Sequence, residues 1–452
     1  MISAAVADIV VAVEDRSARG IAAAIGRMVT AGALATDTRL PTVRALSRGL
    51  GVSPTTVSEA WQTLAAVGAI EARGRLGTFV RQPVGRGGPR RYRRVTEGPG
   101  HFALDLSTGT PDPSLLPDLG RIVAMVSRQS LTSSYLDHPV LPQLEEALRA
   151  EWPFEPEQLT VVDGAMDALD RVAQVVLRLG DRVVVEHPTF PPLLDLLEQL
   201  GVEMIAVDVD AEGMSVDGFR DALVKRPTAV FLQPRAHNPT GVSMTARRRD
   251  ALGALMANST EIIVEDDHSG GIASDTVVSF GALLGDRTVH IRSFSKSHGP
   301  DLRLAAIAGA GDVITAVANR RLLGPGWSSR ILQAVLVELL ADPSTATVLE
   351  HARTRYARRR SMVTTVLGDR NVPFTGGDGI NLWMRVADER SAMMTLAARG
   401  IGVAPGEPFM VRPDDPSLRI TVGLLNGSDD DVMTTAEQLA DAAGFTPRRG
   451  QR

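Results

Sequence analysis

The chain has 452 residues, 44% of them apolar and 22% charged, an ordinary balance for a soluble globular protein and too long for one core, so about three domains are expected. It holds no cysteine, which excludes disulfides, cysteine–zinc sites and thiol catalysis and fits a reducing cytoplasm. The net charge of −5 is unevenly spread: residues 1–80 carry 8 arginines against 6 acids, residues 81–100 carry 6 against 1, and the remainder is acidic. A basic front on an acidic body points to a polyanionic partner for the front, because neutralised phosphates release counterions. For residues 81–100 alone, a solvated linker is an equal reading. No apolar run approaches the roughly 20 residues of a membrane span. The stretch Met1–Val13 lacks the basic start of an export signal and contains Asp8, so no membrane partner and a cytoplasmic location are expected.

Three short amphipathic helices are predicted in the first eighty residues. One runs from about Ser17 to Thr30, with Ile21, Ala24, Ile25 and Met28 at helical spacing. A second follows Leu40-Pro41, with Thr42 as its cap and an end near Gly49. After the Gly51-Val52 turn, Ser53-Pro54 places a capping residue before a proline at the first helical position, and Val57, Trp61, Leu64 and Ala65 continue the pattern. This reads as helix-turn-helix. Two strand-like pieces, Ala69–Ala72 and Thr78–Val80, are joined by Arg73-Gly74-Arg75-Leu76-Gly77, whose glycines permit a tight hairpin tipped by arginine.

Leu40-Pro41-Thr42-Val43-Arg44, Leu50-Gly51-Val52-Ser53, Thr56-Val57 and Gly77-Thr78-Phe79-Val80 resemble the GntR-type winged helix over about residues 15–80. The resemblance implies a helix from Pro54 in the major groove of double-stranded DNA. It also implies that Arg44, Ser53, Thr55 and Thr56 contact bases or phosphates, and that a wing around Arg75 and Gly77 nears the minor groove. Pro54 stands where family members often carry a basic residue. A winged helix that serves only to dock another protein is the alternative. Residues 81–102, rich in Gly, Pro and Arg and without periodicity, are read as a flexible linker.

From Phe102 onward apolar runs alternate with helical stretches, the pattern of an α/β domain with a largely parallel sheet. Strands are predicted at Leu159–Val162, Arg182–Glu186, Ala229–Leu232, Glu261–Glu265, Val289–Arg292 and Leu304–Ala308, with the distinctive residues in the loops at their ends. Asp163–Leu169 turns from a strand into a helix, where free amides and the helix dipole can hold a phosphate. The three carboxylates of Glu265-Asp266-Asp267, followed by His268, must repel one another unless a cation is near or one is protonated. Lysine occurs only twice, against 46 arginines, and one of the two sits in Ser293-Phe294-Ser295-Lys296-Ser297-His298-Gly299-Pro300-Asp301-Leu302-Arg303. Arginine replaces lysine as a surface cation but forms no stable imine with an aldehyde, so Lys296 points to a covalently held aldehyde cofactor. Lys225 is read as a surface residue. The run Arg353–Arg360 is read as the solvated face of a long helix.

In order along the chain, these pieces resemble fold-type I aminotransferases over about residues 103–440. The resemblance implies pyridoxal 5'-phosphate bound to Lys296, with Asp266 at the pyridine nitrogen, Asn238 at the ring oxygen and Phe190 on the ring face. Ser293, Ser295, Arg303 and the amides of Ala165 and Met166 would hold the phosphate, Arg419 a substrate carboxylate, and Tyr135 the phosphate of a neighbouring subunit, which implies a homodimer. The sequence departs from the family at Ala165 and Met166, which replace hydroxyl and amide side chains. His268 stands for the usual tyrosine and Val140 for a glycine.

A winged helix (1–80), a basic linker (81–102) and an aminotransferase-like domain (103–452) together resemble the MocR-type regulators, a branch of the GntR family. In the last domain a large part is expected at about 150–340, and a smaller α/β part from about 103–149 with 341–452. The implied function is a dimeric, operator-binding transcription regulator that senses pyridoxal phosphate and an amino acid or amine, with weak or vestigial turnover. The alternative is an active aminotransferase with an accessory winged helix. No metal site is expected.

Overall fold

Capping residues and apolar spacing set the local structure of the first eighty residues. The structure, a computed structural model, describes residues 4–30, 32–35, 37–66, 69–80, 89–96, 102–128, 134 and 137–445. Helices α1 (Val6–Ala12), α2 (Ala18–Thr30), α3 (Val43–Leu50) and α4 (Pro54–Ala66) precede strands β1 (Ile70–Ala72) and β2 (Thr78–Val80). Thr42 Oγ1 accepts from the Ala45 amide at 3.2 Å to open α3, and Gly51, left-handed at φ 67°, closes it. Ser53 Oγ accepts from the Thr56 amide at 3.1 Å just before Pro54 starts α4. Ile21, Ile25, Leu46, Leu50, Val57 and Leu64 meet in one core, each buried side chain contributing about 1.5–3 kcal/mol relative to exposure. Helix α1 is absent from the sequence reading. Its Ile9 is fully buried in this core, so the apolar start of the chain is packing surface. Strands β1 and β2 pair antiparallel, Ile70 opposite Val80 and Ala72 opposite Thr78.

The linker reading needs correction. Residues 81–88 and 97–101 lie outside the described residues, but Arg90–Thr96 is a helix, α5. The amides of Arg91 and Tyr92 donate to the Asp195 carboxylate at 3.0 and 3.1 Å, Arg94 pairs with Glu407 at 2.6 Å, and Val95 is buried against Trp383, Ala404 and Phe409. Seven residues cannot sustain a helix alone, so nothing local announces α5; its partners lie about a hundred to three hundred residues away.

The chain divides into two units, one mainly residues 1–90 and the other mainly 91–452. In the second, strands follow in the order β3 (Leu104–Asp105), β4 (Gln158–Val162), β5 (Arg182–His187), β6 (Glu203–Asp210), β7 (Gly213–Met214), β8 (Ala229–Leu232), β9 (Ile262–Asp267), β10 (Thr288–Ser293) and β11 (Ala305–Gly309). Eight of them form one sheet, ordered β4-β11-β10-β9-β8-β5-β6-β7, in which β5, β8, β9 and β10 run parallel and β11 antiparallel to both neighbours. The parallel strands carry unbroken apolar runs because helices cover both faces of such a sheet. A four-stranded sheet is built from β12 (Phe374–Thr375), β13 (Leu382–Arg385), β15 (Ala404–Pro405) and β16 (Ser417–Ile420), while β14 (Ile401–Gly402) pairs with β3. Residues of helices Pro343–Asp369, Glu389–Ala398 and Asp429–Ala442 close its core.

Two further readings differ. The segment 103–149 is expected with the smaller part, yet Ile122, Val126, Leu144 and Leu148 pack with Phe294, Leu304 and Leu336 beside the large sheet, whereas β3 and the adjoining Leu106 join the smaller part. The Arg353–Arg360 run does lie in one long helix, but it is only partly solvated. Arg359 and Arg360 are buried, Arg359 on Asp112 at 2.8 Å and on the Gly423 carbonyl at 2.5 Å, and Arg360 on the Gly379 carbonyl at 2.6 Å. These arginines lock the long helix to loops of the domain. Among the described residues no single helix is long and apolar enough to cross a membrane.

Candidate functional site

On the N-terminal unit, Arg44 is exposed on the first turn of α3, and Thr55 is exposed on the first turn of α4. Ser53 and Thr56 are engaged with each other, their hydroxyls 2.8 Å apart, as the cap that sets the direction of α4. Gly77, at φ 109°, ends the turn Gly74–Leu76 that contains Arg75. A Cβ there would lie 2.8 Å from Arg39 Nε, so the wing closes on an arginine that the sequence reading does not name. Arg73 is held on Asp37 at 2.6 Å and lies 4.8 Å over the Phe79 ring, fixing the base of the wing.

In the second unit, the predicted residues gather past the C-terminal ends of β4, β5, β8, β9 and β10, where open α/β sheets bind ligands. After β4, Gly164 at φ 104° leads into helix Ala165–Val176, which has no side-chain cap, so its first amides are open donors around Ala165 and Met166. Arg303, left-handed at φ 48°, brings its guanidinium to the Asp163 carbonyl at 3.2 Å. A Cβ on residue 164 would lie 2.7 Å from that guanidinium. Only glycine lets loop and arginine converge. Ser293 is buried at the end of β10, its Oγ 3.4 Å from the Ser295 amide, and Phe190 is half-buried beyond β5. Tyr135 lies outside the described residues.

Strand alternation resolves the carboxylate cluster of β9. Glu265 faces one side, accepting from Ser279 Oγ and the Phe280 amide at 2.6 Å each and meeting His290 Nδ1 at 2.7 Å. Burial alone would raise Asp267, but Arg235, bonded at 2.7 and 2.9 Å, outweighs it and holds this carboxyl at about 2. Asp266 accepts at Oδ2 from Gln233 Nε2 at 2.8 Å; burial dominates and pushes it up to about 6. His268 is next to Lys296, but its Nε2–H is donated to the Ala236 carbonyl at 3.0 Å, and burial with the nearby ammonium drives it down to about 3, so the ring is neutral. It therefore presents no free Nε2–H where the family's tyrosine would place its hydroxyl.

Lys296 follows β10. Burial, with the Arg419 guanidinium adding to it and Asp266 opposing, brings its ammonium down to about 8, which leaves a usable fraction of free amine near neutral pH. Its Nζ donates to the Gly109 carbonyl. Arg419 arrives from β16 of the other sheet, only 3% exposed, over the Phe409 ring at 5.3 Å and bonded to the Ser107 carbonyl. Pyridoxal phosphate, the cofactor that the resemblance implies, has matching groups here. Asp266 Oδ1 is buried without a hydrogen-bond partner and can accept from a ring nitrogen, Asn238 has a side-chain amide N–H to donate to a ring oxygen, the amides and guanidinium around Gly164 form an anion cradle, and Lys296 carries the amine. The residues present fit the group.

The aminotransferase class I and II profile matches residues 103–438, and that of the bacterial regulatory proteins of the gntR family matches residues 17–80. Over 440 residues, 95% of this chain and 99% of the relative, the sequence is 34% identical to the vitamin B6 salvage pathway transcriptional repressor PtsJ of Salmonella typhimurium. It is 28% identical to the probable rhizopine catabolism regulatory protein MocR of Rhizobium meliloti, covering 82% of this chain and 79% of that one. The chain belongs to the MocR-type regulators of the GntR family. Its fold is also that of an archaeal alanine:glyoxylate aminotransferase, with a TM-score of 0.70 over 78% of this chain and 95% of the other at 24% identity.

Several residues of this MocR-type regulator escape a reading by motif. Gln233 lies between Asp266 and Asn238, and its backbone amide donates to buried Glu186 at 2.8 Å. Arg321, fully buried, ties Asp163 at 3.2 Å to Asp167 at 2.9 Å beneath the phosphate loop. The strap Ser107–Gly109 bridges the two site cations. An uncommon residue at a turn after an apolar run was the available signal for Gln233; Arg321 and the strap carry none.

Proposed function

We propose that this protein is a cytoplasmic, homodimeric transcription regulator that binds operator DNA through its winged helix and reads pyridoxal phosphate, with an amino acid or amine, through the site around Lys296. The observation that carries this reading is the convergence of Lys296, Asp266 Oδ1, Asn238 and the Gly164–Arg303 cradle in a chain whose front is a GntR domain. When bound, the cofactor supplies an aldehyde for the amine and an electron-withdrawing ring. The protein's own groups do the rest. The cradle neutralises the phosphate, Asp266 and Asn238 orient the ring, Phe190 covers one face, and Arg419 is poised to take the carboxylate of an effector. The Salmonella relative is a repressor of vitamin B6 salvage, which makes genes that supply the cofactor natural candidates for this regulator's targets.

Helix α5 supports a route for the signal. Val95 packs on Phe409, whose ring lies under Arg419, and Trp383 stands edge-on to Phe409 at 5.8 Å and opposite Arg419 in the sheet register. A ligand that shifts Arg419 thus disturbs the seat of the helix from which the chain runs to the DNA-binding unit. The second reading, an active aminotransferase, draws on the same lysine and arginine. Operator DNA titrated with and without pyridoxal phosphate decides between them: an altered affinity or bend supports regulation. Unchanged DNA binding together with steady amino-group transfer supports the enzyme.

A further inference from the structure

We infer that Gln233 is the positioning residue that decides where the single proton shared by Asp266 and the cofactor's ring nitrogen resides. This inference rests on the reading that the site holds pyridoxal phosphate. Gln233 follows β8 and is 5% exposed, and both ends of its amide are engaged. The Asn238 backbone N–H donates to Oε1 at 2.7 Å, which obliges Nε2 to face Asp266, where it donates to Oδ2 at 2.8 Å. The orientation of the amide is thereby settled by a donor that cannot be reversed. Gln233's own N–H is held by Glu186 Oε2 at 2.8 Å, and Glu186 is in turn 3.2 Å from His237 Nε2. One side chain therefore sets both Asp266 and the backbone of Asn238, the two residues proposed to hold the ring.

With Oδ2 occupied, Oδ1 is the carboxyl oxygen left for a ring nitrogen, and it is buried without a partner. Asp267 on the same strand and, to a smaller extent, Glu186 at the end of β5 disfavour charge on Asp266, while His290 on β10 favours it. The bond from Gln233 is the strongest influence that stabilises the carboxylate against its burial. A pyridine nitrogen and Oδ1 can share one proton. While Gln233 stabilises negative charge on Asp266, the proton rests on the nitrogen; without that bond the N–H breaks, an O–H forms on Asp266, and both partners become neutral. Nothing else is consumed or released. A neutral ring is a weaker electron sink, so Gln233 tunes the cofactor without touching it.

The test uses the full-length protein loaded with pyridoxal phosphate carrying a ring 15N label. Gln233→Glu keeps the volume and an acceptor for the Asn238 amide and replaces the donor to Asp266 with a second carboxylate that opposes charge there, so a filler role would survive it. The expected result is a ring 15N resonance displaced toward the neutral pyridine position and a cofactor Kd raised about tenfold, the scale of one hydrogen bond to a charged group. Gln233→Met, which removes both side-chain bonds at similar volume, should move the resonance the same way and serves if the glutamate variant fails to fold. A wild-type resonance in either folded, loaded variant overturns the inference. A wild-type protein that takes up no label overturns the cofactor reading instead, and the inference with it.

Discussion

Lys296 and Arg419 are joined by one stretch of backbone: the amine donates to the Gly109 carbonyl and the guanidinium to the Ser107 carbonyl, two residues apart. Gly109 is left-handed at φ 65°, and a Cβ there would collide with the Arg419 guanidinium. The strap thus engages both cations, with Arg419 Nε left buried without a partner, and under the proposed function it has to yield them to an aldehyde and a carboxylate.

The amine sets a pH dependence. Only its neutral form attacks an aldehyde, and burial with Arg419 brings Lys296 to about 8, so capture of pyridoxal phosphate should accelerate as pH rises to about 8 and level off above it. Arg419→Gln removes the neighbouring positive charge and should move that midpoint upward. Stopped-flow absorbance across the pH range checks both, and borohydride reduction should mark Lys296 and spare Lys225. A midpoint near the ordinary lysine value would sink the assignment.

DNA recognition should follow the two exposed faces of the winged helix. Arg44→Ala should weaken operator binding and make its logarithmic salt dependence shallower by about one for each phosphate that is no longer neutralised. Deleting residues 1–80 should abolish binding in a mobility-shift assay. A persistent shift after the deletion would transfer recognition to the linker arginines.

Helix α5 should carry the coupling. Val95→Asp places a charge in the Trp383–Phe409 cluster, and Asp195→Ala leaves the Arg91 and Tyr92 amides without their carboxylate. Either variant should bind cofactor and DNA, each within about twofold of the parent, while the factor by which one alters the other's affinity falls toward one, from a typical range of about 5–150. Calorimetric titration of cofactor with and without operator reads this factor directly. An unchanged factor in both variants would place the coupling elsewhere.

The buried pair Arg359–Asp112 should matter for stability. Removing the guanidinium leaves Asp112 buried with a charge that Ser114 alone cannot balance, so Arg359→Met should cost about 3–5 kcal/mol in denaturant unfolding. Burial would raise the Asp112 carboxyl, but Ser114 and Arg359 together hold it below its usual value. The stabilisation is therefore present above about pH 4 and is lost as the solution is acidified through the lower folded value. A variant as stable as the parent at neutral pH would show the pair to be dispensable.

Much of this protein is legible in its sequence because the signals are local. Thr42 and Ser53 announce their helices, apolar runs announce the parallel strands, and a lone lysine among serines in an arginine-rich chain announces an amine with chemistry. Other features depend on partners far along the chain. Helix α5 is too short to form without Asp195 and Phe409, and Arg359 reads as surface until Asp112 and Gly423 close on it. The partners that separate the roles of Asp266, Asp267 and Glu265 are Gln233, Arg235 and His290, which two separate segments bring to one strand. Periodicity and capping act within a few residues, so the sequence by itself determined the elements and the chemistry of their ends. Hydrogen bonds across thirty to three hundred residues exist only once the sheets are assembled, so tertiary structure alone decided which groups are charged, which are held, and where the linker ends.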